Sequence, residues 1–284
     1  MRKGIALAAA LVGLAAAGCG GGHCDGLVVK GTPPASPYAG RLDLPFKESP
    51  DGGEREAGEA SGAAGRALEC DGSIHAGDTG DGWSKGDGGS TPEEGLKAYF
   101  DIYQPEVPDY GYRTERRAGD RVLFSFDVEG RTKVAVVVAK DQPRRPGWGL
   151  ETSASCDPSE LPASYTESKG YEIWEDREGR RVPTTKVSSA AGGEHCDWQS
   201  AHFLDLGSGR NSRQYVRDPR GLFGNESLKA EYDGDVRMPA GARDTGYHYR
   251  DWHLWLTPDR STAYVRTSDG VEAWPEARSG LGCM

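Results

Sequence analysis

Alternating hydrophobic and polar positions in the middle of the chain predict a β-hairpin. Apolar side chains recur at every second position within residues 122–126, and the turn Glu129-Gly130-Arg131 leads to an apolar run over residues 134–138. An alternating strand buries one face, whereas a strand that is apolar at every position is buried on both faces. Residues 148–153 are expected to add a third strand. These segments predict a three-stranded antiparallel meander.

A second meander is predicted near the end of the chain. Residues 252–256, 262–266 and 271–274 are short segments rich in aromatic and β-branched side chains. The dipeptides Pro258-Asp259 and Asp269-Gly270 separate them, and Asp-Gly is favoured in tight hairpin turns. Three consecutive short strands therefore close the chain.

The chain between the two meanders is also strand-like. Residues 171–174 and 182–188 are predicted to be strands on either side of a turn at Glu178-Gly179. Residues 214–216 predict a further strand, and residues 198–206 fit either a strand or a helix.

One segment carries the signals of a helix. Ser90 or Thr91 can cap its start, with Pro92 in the first turn and two glutamates near the positive end of the helix dipole. Apolar residues then fall on one helical face, at Leu96, Tyr99, Phe100 and Tyr103. All these elements together predict a β-rich α+β fold of two small modules, each ending in a three-stranded antiparallel meander.

The amino terminus has the pattern of an export signal. Met1-Arg2-Lys3 is cationic, and residues 4–18 contain only Gly, Ala, Leu, Ile and Val. This run is shorter than the roughly 20 residues of a membrane-spanning helix, but it suits the apolar part of a signal peptide. It ends in Ala16-Ala17-Gly18-Cys19, which resembles the lipobox of bacterial lipoproteins, although Ala16 stands where that family usually has Leu.

The lipobox resemblance implies that Cys19 receives a diacylglyceryl group and becomes the first residue after cleavage of residues 1–18. Ordinary secretory cleavage and an uncleaved anchor are the alternatives. We expect a lipid-anchored protein on the extracytoplasmic face of the cell membrane, with the membrane as a partner through Cys19. Two acyl chains hold a protein stably at a membrane, whereas one binds only marginally.

Composition divides the rest of the chain. Residues 19–68 are rich in Gly, Pro, Glu and Ala and are predicted to be a flexible tether, followed by an α+β module over 69–160 and a mainly β module over 165–284. The formal charge of −10 argues against nucleic-acid binding, which needs a clustered basic excess. Removing the two cations Arg2 and Lys3 leaves −12 on the exported form.

Cysteine spacing supports the division into two modules. Cys70 and Cys156 are 86 residues apart, and Cys196 and Cys283 are 87 apart, so we predict one disulfide in each module. An exported protein meets an oxidising environment. Four cysteines allow three connectivities, and spacing does not exclude the other two. Cys24 is the odd cysteine, free or joined to another chain.

Ser84 is the one weak candidate for a catalytic residue. Residues 82–86 match the G-x-S-x-G pattern, in which a hydrolase serine lies on a sharp turn between a strand and a helix. A polar glycine-rich loop precedes this serine and the predicted helix begins only after Ser90, so an exposed loop is favoured. An envelope hydrolase with a Ser84-centred or acid/His site remains the alternative function.

Possible metal ligands do not form a recognisable site. His195, Cys196 and His202 lie close in sequence, but the chain lacks the His-x-x-x-His and Cys-x-x-Cys spacings of zinc sites. Asp78 and Asp81 lie in a glycine-rich stretch without a calcium-binding spacing, which favours solvated turns. Neither a metal ion nor a cofactor is predicted.

Tryptophans crowd into the second module. Trp255 and Trp274 are candidate ligand-binding residues, because exposed aromatic faces beside charged groups often bind sugars and peptides. The competing interpretation is that these rings form the core of a small β module. Alternation places Trp252 and Leu254 on one strand face and Trp255 on the other.

Three segments resemble a group of uncharacterised streptomycete lipoproteins. They are Glu-His-Cys-Asp-Trp-Gln-Ser at 194–200, Tyr-Val-Arg-Asp-Pro at 215–219 and the ending Gly282-Cys283. The resemblance implies an exported location and a two-part organisation, and it carries no active site. We therefore expect a non-enzymatic binding or interaction module of the cell envelope, with an envelope protein or glycan as its ligand.

Overall fold

The protein is described by a computed structural model that covers residues 26–31, 36–47, 58, 60–209 and 212–283. Within these residues the fold is β-rich, with three antiparallel sheets of five, three and four strands and two disulfides. The predicted fold class is confirmed. Both modules contain the predicted meander, and each sheet that holds one has further strands.

The first sheet consists of five antiparallel strands in the order β1-β5-β4-β3-β2. Within the described residues, three α-helices accompany the modules. The strands are β1 Ile74–Thr79, β2 Arg113–Ala118, β3 Arg121–Val128, β4 Arg131–Gln142 and β5 Arg145–Cys156, and the helices are α1 Gly62–Ala67, α2 Pro92–Tyr103 and α3 Ala163–Ser168.

Helix α2 covers one face of this sheet and begins where the sequence predicts. The Thr91 side chain accepts a hydrogen bond from the Glu94 amide at 3.2 Å, and the Glu94 carboxylate accepts one from the Ser90 amide at 2.6 Å. The first bond satisfies an amide that a helix start leaves unbonded, and the second holds the residue before the cap in place. Leu96 and Tyr99 then pack into the core against the sheet.

The opposite face of the sheet is covered by residues that were predicted to be tether. Leu42, Ala63 and Ala64 are buried against Leu123 and Val137. The prediction of a flexible tether up to residue 68 is wrong for these residues. Small side chains let α1 lie close to its neighbours, so glycine and alanine here serve close packing rather than flexibility.

Two further sequence interpretations are corrected in this module. Residues 76–79 were expected to be a polar loop, but they belong to the edge strand β1, which pairs with β5. Leu161 and Tyr165 pack in the first core, so this module extends through α3 and does not end at residue 160. Strand β4 is buried on both faces, as its apolar run predicts.

The second module consists of two sheets that enclose one core. Trp174, Leu204, Tyr215 and Leu254 are among the residues buried between them. The three-stranded sheet has β6 Val187–Ala191, β7 His202–Leu206 and β8 Arg213–Arg217, and the four-stranded sheet has β9 Arg243–Tyr249, β10 Trp252–Leu256, β11 Thr262–Arg266 and β12 Val271–Pro275.

The strand predictions for this module are confirmed near the end of the chain and wrong in its first part. Strands β10, β11 and β12 match the predicted meander, and β7 resolves the ambiguity over 198–206. Residues 171–174 and 182–186 form isolated bridges and turns instead of the expected strands, and β9 was not anticipated.

Each module contains the disulfide that its cysteine spacing predicts. Cys70 is bonded to Cys156, and Cys196 is bonded to Cys283. The first tie connects the residues just before β1 to the end of β5, and the second connects the loop after β6 to the end of the described chain. The first disulfide therefore closes all five strands of the first sheet into one loop, and the second closes every strand of the second module except β6.

A cleft between the modules as the candidate functional site

The candidate site is an open cleft of about 550 Å³ where the two modules meet. One side is α3 and the segment that follows it, and the other is the end of β9 with the turn after it. Its charged and aromatic lining residues are Glu167, Tyr171, Glu172, Glu175, Arg181, His248, Tyr249 and Arg250.

The floor of the cleft is the segment 171–175, which is held by backbone pairing. Glu175 exchanges backbone hydrogen bonds with His248 of β9, at 2.8 and 2.9 Å, and the carbonyl of Trp174 accepts one from Val182 at 2.7 Å. The Trp174 side chain is fully buried in the second core. This indole anchors the segment, so Glu175 is held at the surface of the cleft, whereas the Glu172 side chain is only 15% exposed.

Glu172 is held by polar partners on the second module. Its Oε2 lies 2.7 Å from His202 Nε2 and accepts a hydrogen bond from the Ser189 hydroxyl, which in turn accepts one from Trp174 Nε1 at 2.9 Å. Burial raises the pKa of the Glu172 carboxyl, but the bonds from His202 and Ser189 outweigh burial and lower it. Glu172 is therefore ionised at neutral pH.

Two arginines bring positive charge to the cleft. Arg181 bonds to Thr166 Oγ1 at 2.7 Å and to the carbonyl of Leu161, so it joins the second module to the first. Burial lowers the pKa of the Arg181 guanidinium. The guanidinium carbon of Arg250 lies 5.0 Å from the ring centre of Tyr249, a distance at which cation and ring attract.

Aromatic rings form the wall behind these charges. Tyr249 is half-buried, with its ring centre 6.2 Å from that of Trp174 and 6.1 Å from that of Trp252. Trp252 packs edge-on against His202 at 4.9 Å and against Trp274 at 5.5 Å. The cleft thus presents the half-buried ring of Tyr249, which is supported by the buried indole of Trp174 and the half-buried indole of Trp252.

This arrangement is suited to binding more than to acid–base chemistry. A general acid or base works best when its pKa lies near the ambient pH, and the pKa of Glu172 is moved away from neutrality. Opposite charges on two sides of an open, partly aromatic cleft can instead orient a polar ligand.

The two tryptophans predicted as ligand-binding residues have different positions. Trp274 is fully buried between the sheets, and its Nε1 donates to Glu272 at 2.8 Å, so its prediction as a ligand-binding residue is wrong. Trp255 lies on the outer face of the four-stranded sheet, half-buried, opposite Tyr264 and with the Arg266 guanidinium 5.2 Å from its ring centre. Alternation along β10 correctly predicted that Leu254 faces the core and Trp255 faces outward. Trp274 lies on β12, and its side chain faces the core.

Ser84 lies on an exposed loop, as its surroundings predict. Its amide donates to Asp87 Oδ2 at 2.7 Å and its carbonyl accepts from the Asp87 amide at 3.1 Å, which makes a local turn. His75 is the histidine nearest to Ser84 in the sequence, but its Nε2 lies 3.6 Å from Asp157 Oδ2. The described residues thus bring no histidine to Ser84, and nothing in this loop favours a hydrolase.

The residues considered as zinc ligands do not all come together. His202 binds Glu172, whereas Cys196 is bonded to Cys283 and His195 lies beside that disulfide. Asp81, considered as a calcium ligand, accepts a hydrogen bond from Thr79 at 3.1 Å, and the nearby Asp87 caps the turn at Ser84.

The predicted signal peptide over 1–18 and the lipidation site Cys19 lie outside the described residues, as does Cys24. In the part of the chain that is described, no helix is long and apolar enough to cross a membrane. No family model, curated protein or solved structure matches this chain. The resemblance to streptomycete lipoproteins therefore stays a prediction.

Sequence reasoning missed the principal residues of the cleft. Glu172 was placed within an ordinary strand, and Arg181 belongs to a turn whose charges are typical of a solvated surface. No local signal marks these two residues, because their partners His202 and Leu161 are brought near by the folding of separate segments. Arg250 lies beside Tyr249 in the sequence, but its place in a cleft depends on the first module.

Proposed function

We propose that this protein is a lipid-anchored binding protein of the cell envelope, which holds a glycan segment in the cleft between its modules. One observation supports the proposal most directly. The tyrosine Tyr249, several carboxylates and two guanidinium groups line the same cleft. The anchor is Cys19, and the protein acts on the extracytoplasmic face.

A sugar polymer matches the chemistry of the lining. The ring of Tyr249 can stack on the C–H face of a sugar, while Glu167 and Glu175 can accept hydrogen bonds from its hydroxyl groups. Arg250 can donate to a ring oxygen or to an acidic substituent. A cleft of about 550 Å³ has the size of a site for a small-molecule ligand or a short segment of a polymer.

Net charge agrees with a protein held away from the membrane. The exported form carries −12, and bacterial membrane surfaces are commonly anionic, so close contact with lipid headgroups is unfavourable. The chain between Cys19 and residue 26, where the described structure begins, contains Gly20-Gly21-Gly22, a composition typical of a spacer.

The glycan proposal is tested by binding of soluble cell-wall glycan fragments to the full-length protein in detergent, measured by calorimetry. Arg250→Asn removes the guanidinium from the cleft and suits the left-handed backbone at φ 54°. We expect binding to weaken about tenfold or more, the effect of losing a charged hydrogen bond.

A matched control is Arg260→Asn. Arg260 is an exposed arginine with φ 55° on a different turn, away from the cleft. Equal effects of the two substitutions, or no binding by the wild-type protein, would refute the glycan site. Selective retention of an envelope protein, lost in Arg250→Asn, would identify a protein ligand in its place.

The anchor is tested separately by metabolic labelling with a radioactive fatty acid. The wild-type chain is expected to incorporate label and Cys19→Ser to lose it, with Cys24→Ser as the control that keeps it. Incorporation that persists in Cys19→Ser would sink the lipoprotein assignment and leave the cleft proposal standing.

A further inference from the structure

The disulfide of the second module lies directly beside an imidazole. Nε2 of His195 is 3.0 Å from Cys283 Sγ, His195 is exposed, and both sulfur-bearing residues are half-buried. We propose that Cys196–Cys283 is a thiol–disulfide exchange site, with His195 as its catalytic acid and protein dithiols or small thiols as its reaction partners. This inference does not depend on the glycan cleft.

A tight turn holds the imidazole against the sulfur. Residues Glu194–Cys196 form a short 3-10 helix, and the carbonyl of Gly193 accepts hydrogen bonds from the amides of Cys196 at 3.3 Å and Trp198 at 3.2 Å. A Cβ on Gly193 would lie 3.2 Å from Cys283 Sγ and 3.2 Å from the His195 ring. Glycine at this position therefore leaves the space in which ring and sulfur approach each other.

The other disulfide has the opposite surroundings. Cys156 is fully buried and Cys70 is half-buried, and the carboxylate of Glu160 near both sulfurs is paired with Lys133. Burial blocks an attacking thiol at Cys156 and disfavours the thiolate that reduction would produce there. Cys70–Cys156 is thus a structural tie, and it serves as an internal reference in the same molecule.

The positions of the groups define the direction of the exchange step. An external thiolate attacks Cys196 Sγ and forms a mixed disulfide, while the Cys196–Cys283 bond breaks and its electron pair passes to Cys283 Sγ. Protonated His195 gives its Nε2 proton to that sulfur, which makes Cys283 the better leaving group. The second thiolate of a dithiol then displaces Cys196, so the dithiol is oxidised to a disulfide and the protein gains two thiols.

The end of the chain remains docked after such a step. The Leu281 amide donates to Gln214 Oε1 at 2.7 Å, and Gln214 Nε2 donates to the Leu281 carbonyl at 3.3 Å. Leu281 also packs against the small cluster around Val216. These contacts do not involve the disulfide, so Cys283 stays near Cys196 and reoxidation restores the bond.

The experiment measures the reduction of both disulfides in the full-length protein. Samples treated with dithiothreitol are quenched by acid and alkylated, and mass spectrometry of peptides gives a rate for each pair. We expect Cys196–Cys283 to react about tenfold or more faster than Cys70–Cys156. His195→Gln should slow only the former, by about tenfold, which is less than the usual effect of a positioned acid because His195 is exposed.

Two further measurements separate catalysis from simple exposure. The control His253→Gln replaces another exposed histidine of the same module and should leave both rates unchanged. With glutathione as the attacking thiol, the wild-type adduct should form chiefly on Cys196, and His195→Gln should lose this preference. Equal rates for the two disulfides, an unchanged rate in His195→Gln, or an adduct chiefly on Cys283 would overturn the proposal.

Discussion

Asp157 is a fully buried carboxylate at the boundary between the modules. Its Oδ1 accepts from the amides of Ser159 at 2.9 Å and Thr184 at 3.0 Å, and its Oδ2 accepts from the Thr184 hydroxyl at 2.8 Å. His75 lies 3.6 Å away. Burial raises the pKa of the carboxyl, but the hydrogen bonds from His75, Thr184 and Ser159 lower it by more. A single ionised side chain therefore joins residues of both modules.

Replacing Asp157 by Asn should destabilise the protein at neutral pH. The amide keeps the shape but loses the charge and one acceptor, so we expect a decrease of about 1–3 kcal/mol in the free energy of unfolding, measured with urea. Asp43→Asn is the control, because Asp43 is exposed and pairs only locally with Arg41. A loss no larger than that of the control would show that the charge does not hold the junction.

The same pair of proteins has an expected pH dependence. The pKa of Asp157 is lower in the folded than in the unfolded chain, so its stabilising effect is complete above about pH 4, the ordinary range of Asp, and declines as the pH falls below it. The difference in unfolding free energy between wild type and Asp157→Asn should therefore shrink as the pH falls below about 4. A constant or growing difference would contradict this assignment.

Helix α2 shows how an element's sequence can follow its packing rather than its intrinsic preference. Gly95 is a poor helix former in the middle of α2, yet it is buried where the helix crosses Trp148 of β5. A Cβ at this position would lie 2.9 Å from both the carbonyl carbon and the Cβ of Trp148. The glycine therefore permits the helix to lie close to the sheet.

Gly95→Ala should consequently lower stability although alanine favours helices. Overpacking costs about 2 kcal/mol, within the usual range, and helix propensity returns up to about 1 kcal/mol, which leaves a net loss of about 1 kcal/mol in thermal or urea unfolding. Gly241→Ala, at an open position with no atom within 4 Å of the new Cβ, is the matched control and should be neutral or slightly stabilising. Stabilisation by Gly95→Ala would show that the contact can relax.

At the scale of the whole molecule, the two disulfides close loops of 86 and 87 residues. Loops of equal length restrict the unfolded chain equally, by about 4 kcal/mol in the chain-entropy account. Their native surroundings differ, because Cys156 is fully buried and Cys283 is half-buried. A comparison of the two disulfides therefore separates the effect of a cross-link on the unfolded chain from the effect of cysteine packing in the folded protein.

Removing either tie should destabilise the protein, and removing the first should cost more. We expect Cys70→Ala/Cys156→Ala to lose about 4 kcal/mol from the unfolded-state term plus about 1 kcal/mol from the space left at Cys156, and Cys196→Ala/Cys283→Ala to lose the first part alone. Urea unfolding of both double variants without reductant gives the comparison. A larger loss for the second pair would contradict this account.

Much of the fold was predictable from local pattern. Period-2 alternation and turn dipeptides located β3, β4 and β10 to β12, because side chains on a strand alternate between two environments. The cap at Thr91 located α2, since the unbonded amides of a helix start need a nearby acceptor. Cysteine spacing paired the disulfides correctly, with one bond within each module.

Which surfaces of the elements become buried could be seen only in the folded structure. Alanine and glycine in α1 resemble a tether until a sheet lies beside them, and Trp274 is interior only because β12 pairs with β11 and faces a second sheet. Glu172 and Arg181 become parts of a cleft when separate segments meet at the junction. Local sequence records periodicity, turns and caps, which depend on a few neighbouring residues, whereas burial and the assembly of a site depend on contacts between residues distant in the chain.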